Sequence, residues 1–159
     1  MKKRNIFRLI ITVFAALAMS YAVTNTASAA GGGSVNWKNK VTGKCLGWDS
    51  DHWARIVECP DSNSGSPYLW SDRQLNNDDN RWHEQAMING TWCLDSNYRG
   101  SAYISECGRD NPYQEWSEEK TSRGWVLKNL KTGRCLEANV TGQVKTQPCE
   151  TYNAWQNWG

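Results

Sequence analysis

The 159-residue chain is poor in the residues that usually build a protein interior. It has two phenylalanines, three methionines and four prolines, and its mean hydropathy is −0.72. Beyond residue 30 no apolar run approaches the ~20 residues that a membrane span requires. No window sustains apolar residues at i, i+3, i+4 and i+7, which excludes a mainly helical architecture. The only histidines are His52 and His83, and there is no Cys-x-x-Cys pair, so a zinc site lacks its ligands. GxSxG and HExxH are absent, and neither histidine has a serine or cysteine elbow near it. Catalysis therefore has no nucleophile to start from, and no metal or other cofactor is expected.

The N-terminus is a different kind of sequence. Lys2, Lys3, Arg4 and Arg8 open it, an apolar run follows from Leu9 to Met19, and Ala27-Ser28-Ala29 offers small residues for cleavage. Residues 1–30 read as a secretory signal peptide, and the run is short for a membrane anchor. The chain carries 18 basic and 16 acidic residues; four of the basic ones and none of the acidic ones lie in this leader, leaving 14 against 16. The remainder is slightly acidic and gives no support to nucleic-acid binding, which needs a basic face. Residues 31–159 suit one secreted, non-membrane domain.

What is present is a repeat. Cys45 and Cys59, Cys93 and Cys107, and Cys135 and Cys149 share one interval. Each first cysteine is followed by leucine, in Lys44-Cys45-Leu46, Trp92-Cys93-Leu94 and Arg134-Cys135-Leu136. Each pair is followed at a near-fixed distance by Trp70, Trp116 or Trp158. A period of roughly 40 residues dictates the fold and is read first. It divides the chain into unit one (35–77), unit two (78–120) and unit three (121–159). Export makes disulfides the default, and the repeat selects 45–59, 93–107 and 135–149 from the possible pairings. Each loop of about 15 residues contributes on the order of 3 kcal/mol in the chain-entropy model.

Within each unit the apolar residues alternate over short stretches. Arg55-Ile56-Val57-Glu58, Ala102-Tyr103-Ile104-Ser105 and Trp125 to Leu130 read as strands, punctuated by Asn, Asp, Gly and Ser; Lys131-Thr132-Gly133 is a turn. About four strands per unit imply a closed all-β body, since closure removes exposed edges. Of the ten tryptophans, Trp70, Trp116 and Trp158 recur and belong to the core, with Trp37, Trp82 and Trp125 also packing inward. Trp48, Trp53, Trp92 and Trp155 do not recur and are expected to be exposed for binding. The Glu118-Glu119 pair reads as a solvated turn.

Gln114-Glu115-Trp116 and Gln156-Asn157-Trp158, with Cys93-Leu94-Asp95 and Cys135-Leu136-Glu137, resemble the ricin B-type lectin family over essentially all of residues 31–159. The resemblance implies an all-β fold, a β-trefoil of three repeats around a pseudo-threefold axis. Unit two goes further. Leu94 to Tyr103, followed by Asn111-Pro112-Tyr113-Gln114-Glu115-Trp116, resembles a repeat of actinohivin-like mannose-binding bacterial lectins. That likeness implies that Asp95 accepts hydrogen bonds from sugar hydroxyls and that Tyr103 and Tyr113 wall the pocket. The family's pocket asparagine falls near Gly108, and Asn111 is its replacement.

The chemistry stands without the family. A sugar presents hydroxyls around a ring with apolar C–H faces, and a site needs a carboxylate or amide acceptor beside an aromatic face. The alternative role for Asp95 is to hold its own turn. Unit three offers Glu137, Lys145 and Trp155 at the matching positions, with Lys145 placed to pair with Glu137. Unit one offers Gly47, Arg55 and Tyr68, with Asp49 two residues on, and no working pocket is expected there. Val57, Ser105 and Gln147 stand where a galactose-binding relative has an aromatic residue, which favours mannose-type ligands. Asn89-Gly90-Thr91 and Asn139-Val140-Thr141 are glycosylation sequons.

The expected function is a secreted, non-catalytic lectin whose partners are glycans. The rival is a trefoil that binds another secreted protein, as a toxin-complex subunit or inhibitor, through Trp48, Trp53, Trp155, Arg55 and Lys145; Trp, Tyr and Arg dominate such interfaces.

Overall fold

A computed structural model describes residues 33–59, 68–75, 80–87 and 90–159. Residues 1–30, expected to be a signal peptide, the polar stretch 76–79 and Asn89 of the first sequon lie outside them. Among the described residues no helix is long and apolar enough to cross a membrane.

Unit one contributes β1 (Ser34–Val35), β2 (Cys45–Trp48), β3 (Ala54–Val57) and β4 (Trp70–Gln74). Unit two contributes β5 (Trp82–Ala86), β6 (Trp92–Ser96), β7 (Ala102–Glu106) and β8 (Trp116–Thr121). Unit three contributes β9 (Gly124–Asn129), β10 (Cys135–Ala138) and β11 (Val144–Gln147), and a bridge at Trp158 stands in for its fourth strand. All pairings between named strands are antiparallel.

The outer strands of the three units close on themselves. β1 pairs β4, β4 pairs β5, β5 pairs β8 and β8 pairs β9. Trp158 then bridges Trp125 of β9, while Gly159 N–H donates to Lys38 O and Lys40 N–H to Asn157 O, returning to the first segment. The inner strands form three hairpins, β2–β3, β6–β7 and β10–β11, each spanned by one expected disulfide.

The repeated words now have a mechanical reason. Leu46, Leu94 and Leu136 are fully buried. Their carbonyls accept the indole N–H of Trp70 (3.0 Å), Trp116 (2.9 Å) and Trp158 (3.1 Å). A buried indole needs such a partner, and each buried Leu side chain contributes about 1.5–3 kcal/mol. The hairpins meet on the pseudo-threefold axis through three equivalent bonds of 2.8 Å: Ile56 N–H to Gly142 O, Ile104 N–H to His52 O, and Thr146 N–H to Gly100 O. The hairpin turns are also equivalent. Asp49, Asn97 and Asn139 each accept two backbone N–H groups from the residues two and four positions on. The residue that completes the turn has a left-handed backbone: Gly100 (φ 87°), Gly142 (φ 79°) and, in unit one, His52 (φ 68°). His52 occupies a conformation that glycine adopts freely, and its ring stacks on Trp92 at 4.6 Å.

The tryptophan expectations need correction. Trp37 and Trp82 join the buried set as expected, but Trp125 is only half-buried. Trp48, Trp92 and Trp155 are half-buried and packed on the core, not exposed; only Trp53 of that group is exposed, at 44%. Indoles are large enough to cover the rim of a small core while keeping one edge in water.

Candidate functional site

The unit-two pocket is built across one hairpin and the turn after it. Asp95 on β6 faces Tyr103 on β7 in register. Asn111 caps the 3-10 turn Pro112–Gln114, its side-chain oxygen accepting Tyr113 N–H at 3.1 Å. Proline at the first position suits that turn, where its missing N–H is not needed. The capped turn carries Asn111 and Gln114 to the carboxylate. Asp95 Oδ2 accepts from Ser105 Oγ (2.7 Å), Asn111 Nδ2 (3.0 Å) and Gln114 Nε2 (3.2 Å), and Oδ1 accepts from Ser96 N–H (2.7 Å).

Asp95 is therefore 3% exposed and held by donors from Ser96, Ser105, Asn111 and Gln114, with the Tyr103 hydroxyl beside them. It braces its own strand as well as the pocket. A sugar hydroxyl reaches this carboxylate only by exchanging with one of those donors, since an ionised carboxylate offers about four acceptor positions. Burial, then the charge of Asp95 and a hydrogen bond to it, push the Tyr103 hydroxyl pKa up, so it stays a neutral phenol. Tyr113 is walled by Tyr98, edge-on at 5.7 Å, and Tyr98 is 62% exposed. The structure thus brings Asp95, Tyr103, Asn111 and Tyr113 together and adds Ser105, Gln114 and Tyr98. Gln114 was legible as the first letter of Gln-x-Trp; its amide also donates to Glu106 O (2.9 Å) and accepts Gly108 N–H (2.8 Å), tying the disulfide loop to the pocket. Nothing in the sequence marked Tyr98, and Ser105 was marked only as lacking the aromatic residue of a galactose pocket, not as a donor to Asp95.

Unit three repeats the arrangement with a longer acid. Glu137 Oε2 accepts from Asn153 Nδ2 and Gln156 Nε2, both at 2.9 Å. Asn153 caps the turn Ala154–Gln156 as Asn111 caps its own. Sequence reading passed over Asn153, although Asn-x-aromatic-Gln-x-Trp occurs in both units. The expected Lys145–Glu137 pair does not form. They are register partners on β11 and β10, yet no ion pair joins them among the described residues. Trp155 packs on the core and supplies a half-buried wall.

Unit one has lost the constellation. A Cβ on Gly47 would lie 2.6 Å from Val57 Cγ2 and 2.7 Å from Tyr68 Cδ1, closer than real contacts allow. Tyr68 sits against the place where a carboxylate would stand and is edge-on to Trp48 at 5.3 Å. Asp49 turns to Arg55 instead, accepting from Nε at 2.7 Å.

A second acidic group lies elsewhere. Asp72 on β4, Glu84 on β5 and Glu118 on β8 each bring a carboxylate oxygen within 4.8 Å of the others, and among the described residues this is the grouping that could hold a metal ion. Glu118, expected in a solvated turn, is 6% exposed on a strand and shares a hydrogen bond with Glu84. Trp37 Nε1 donates to Glu84 Oε2 at 2.8 Å. Burial raises the pKa of Asp72 to about 6 and that of Glu118 to about 7. Burial and the charges of Asp72 and Glu118 push Glu84 up as well.

No family model and no curated protein matches this sequence. Solved structures do. A Polyporus squamosus lectin bound to a human-type influenza-binding epitope is 19% identical, with a TM-score of 0.66, covering 81% of this chain and 48% of the lectin. The Haemophilus ducreyi cytolethal distending toxin is 17% identical, with a TM-score of 0.65, covering 79% of this chain and 80% of the toxin chain. The designed three-fold symmetric protein ThreeFoil is 17% identical, with a TM-score of 0.63, covering 79% and 95%. The three equivalent hairpins on one axis, the ring of outer strands and these likenesses make this chain a β-trefoil.

Proposed function

We propose that this protein is a secreted, non-catalytic carbohydrate-binding β-trefoil whose principal glycan site is the unit-two pocket. The observation that carries the reading is the carboxylate–asparagine–glutamine constellation. It is built at Asp95–Asn111–Gln114 and again at Glu137–Asn153–Gln156. Core packing does not require this chemistry, because unit one packs without it. Asp95 and Asn111 supply polar groups for hydroxyls, while Tyr113 and Tyr98 supply a face for the C–H side of a ring. The absence of an aromatic at Val57, Ser105 and Gln147 favours mannose-type ligands over galactose, in line with the resemblance of unit two to actinohivin-like lectins. Unit three serves as a weaker site through Glu137 and Trp155, and two weak sites gain from clustered glycans.

A second reading is a trefoil that binds a protein. It draws on the filled unit-one pocket and on the toxin among the similar folds. The contact surface expected for it is reduced, since Trp48 and Trp155 pack on the core and Trp53 alone stays exposed.

A glycan array probed with the oxidised mature protein and its Tyr113→Ala variant separates the two. Mannose-type binding that the variant loses supports the lectin. A blank array from folded protein, with a stoichiometric partner copurifying from culture fluid, would overturn it.

A further inference from the structure

The axis where the three hairpins meet carries a feature that neither pocket uses. A cavity of about 320 Å³ opens there, near the lower end of small-molecule sites. Each unit brings one cation to its lining: Arg55 from unit one, Arg99 from unit two and Lys145 from unit three. Trp53, the exposed indole, stands in the same lining, and no aspartate or glutamate does. This runs against the chain's overall charge, because residues 31–159 hold more acidic than basic side chains.

Two of the three cations are not neutralised by the protein, and the third is paired through one edge only. Arg99 and Lys145 make no ion pair among the described residues. Arg55 is fixed by Asp49 through its Nε, which orients the guanidinium, and among the described residues its terminal nitrogens bond no carboxylate. Like charges gathered around one concavity repel, and an oxyanion placed among them removes that repulsion while gaining charge-assisted hydrogen bonds. The neighbouring indole offers the apolar face on which a sugar ring stacks. Inorganic anions use the cations alone; a saccharide bearing an anion uses both.

We infer that this axial cavity is a second ligand site that takes a saccharide carrying a carboxylate or sulfate group. The saccharide half rests on the lectin reading; the anion half stands on the cations themselves. The three repeats differ at the positions that line the site. At the positions of Arg55 and Lys145, unit two has Tyr103, which serves its own pocket.

Calorimetric titration of the oxidised mature protein with lactose 3′-sulfate, 3′-sialyllactose, lactose, sodium sulfate and mannobiose tests this. The charged lactoses are expected to bind at least about tenfold more tightly than lactose, with affinity falling as salt rises. Arg99→Ala is expected to weaken them about tenfold with mannobiose binding unchanged, and Lys145→Glu to weaken them further. Trp53→Ala is expected to bring the charged lactoses down to the affinity of sodium sulfate. Equal affinity for charged and neutral lactose, or indifference to both charge variants, overturns the inference. Sodium sulfate binding as tightly as lactose 3′-sulfate overturns its saccharide part. Mannobiose binding without charged-lactose binding removes the axial site and keeps the lectin. Charged-lactose binding without mannobiose binding keeps the axial site and removes the mannose-type site in unit two.

Discussion

Units one and two are the same machine with and without a site. Both have the stapled hairpin, the buried Leu carbonyl receiving an indole N–H, and the same turn fixed by Asp49 or Asn97. They part at one position, two residues after the first cysteine. Unit two has Asp95 there, with Gln114 and Asn111 closing on it. Unit one has Gly47, and Tyr68 replaces the glutamine and takes the vacated space. The carboxylate and its amide partners left together, and an aromatic ring filled the volume. This teaches that fold and site are held by different atoms. The fold hangs on Leu, Trp, Cys and backbone, while the site hangs on polar groups that brace one hairpin and can be exchanged where an aromatic ring takes their place.

The shared part of the comparison breaks with the largest effect. Trp116→Ala or Trp158→Ala should cost about 3–5 kcal/mol, and the two should cost alike, because each removes a buried indole and strands a leucine carbonyl. Chemical denaturation of both variants measures this; a cheap loss at either would deny the equivalence of the units.

The acidic cluster at Asp72, Glu84 and Glu118 sharpens the comparison on the pH axis. Asp72 and Glu118 have folded pKa values of about 6 and 7, above their ordinary values of 3.8 and 4.5. The folded state holds its protons more tightly than the unfolded chain. The stabilisation is full below the unfolded values and is lost as pH rises through about 6 to 7. The melting temperature should therefore fall between pH 4 and 8 more steeply in wild type than in Glu118→Gln. A parallel pair of profiles would remove the cluster as the cause.

Asp95→Ala should cost about 1–3 kcal/mol, since it strands the donors on Ser105, Asn111 and Gln114. The loss of glycan binding must then be read beside Tyr113→Ala, whose fold role is smaller. Gly47→Asp should cost a similar or smaller amount, about 1–3 kcal/mol, by overpacking against Val57 and Tyr68. Adding Tyr68→Gln should recover most of it, measured by urea midpoint. If the double variant is no better than the single one, the filled pocket is not what separates the units.

Much of this was legible because repeats convert one local pattern into three. The disulfide pairing followed from the shared interval, and the core leucines and tryptophans from their recurrence. Gln114 and Gln156 were visible as letters, though their task of joining the disulfide loop to the carboxylate was not. Exposure of Trp48, Trp92 and Trp155 was misread because absence of recurrence says nothing about packing at a rim. Glu118 was misread because two adjacent acids look solvated, whereas the first half of β8 is buried and the second half exposed, and the boundary falls between Glu118 and Glu119.

The sequence alone determined a closed all-β body of three stapled units, because those follow from covalent spacing and short-range alternation repeated along the chain; the β-trefoil itself was implied by the resemblance to ricin B-type lectins. Only the tertiary structure decided that Asn153 closes on Glu137 as Asn111 closes on Asp95. It also decided that Asp72, Glu84 and Glu118 meet in the interior, and that Arg55, Arg99 and Lys145 share one cavity. Those groups lie far apart in sequence, and their distances are set by ring closure and the axis, which no local pattern records.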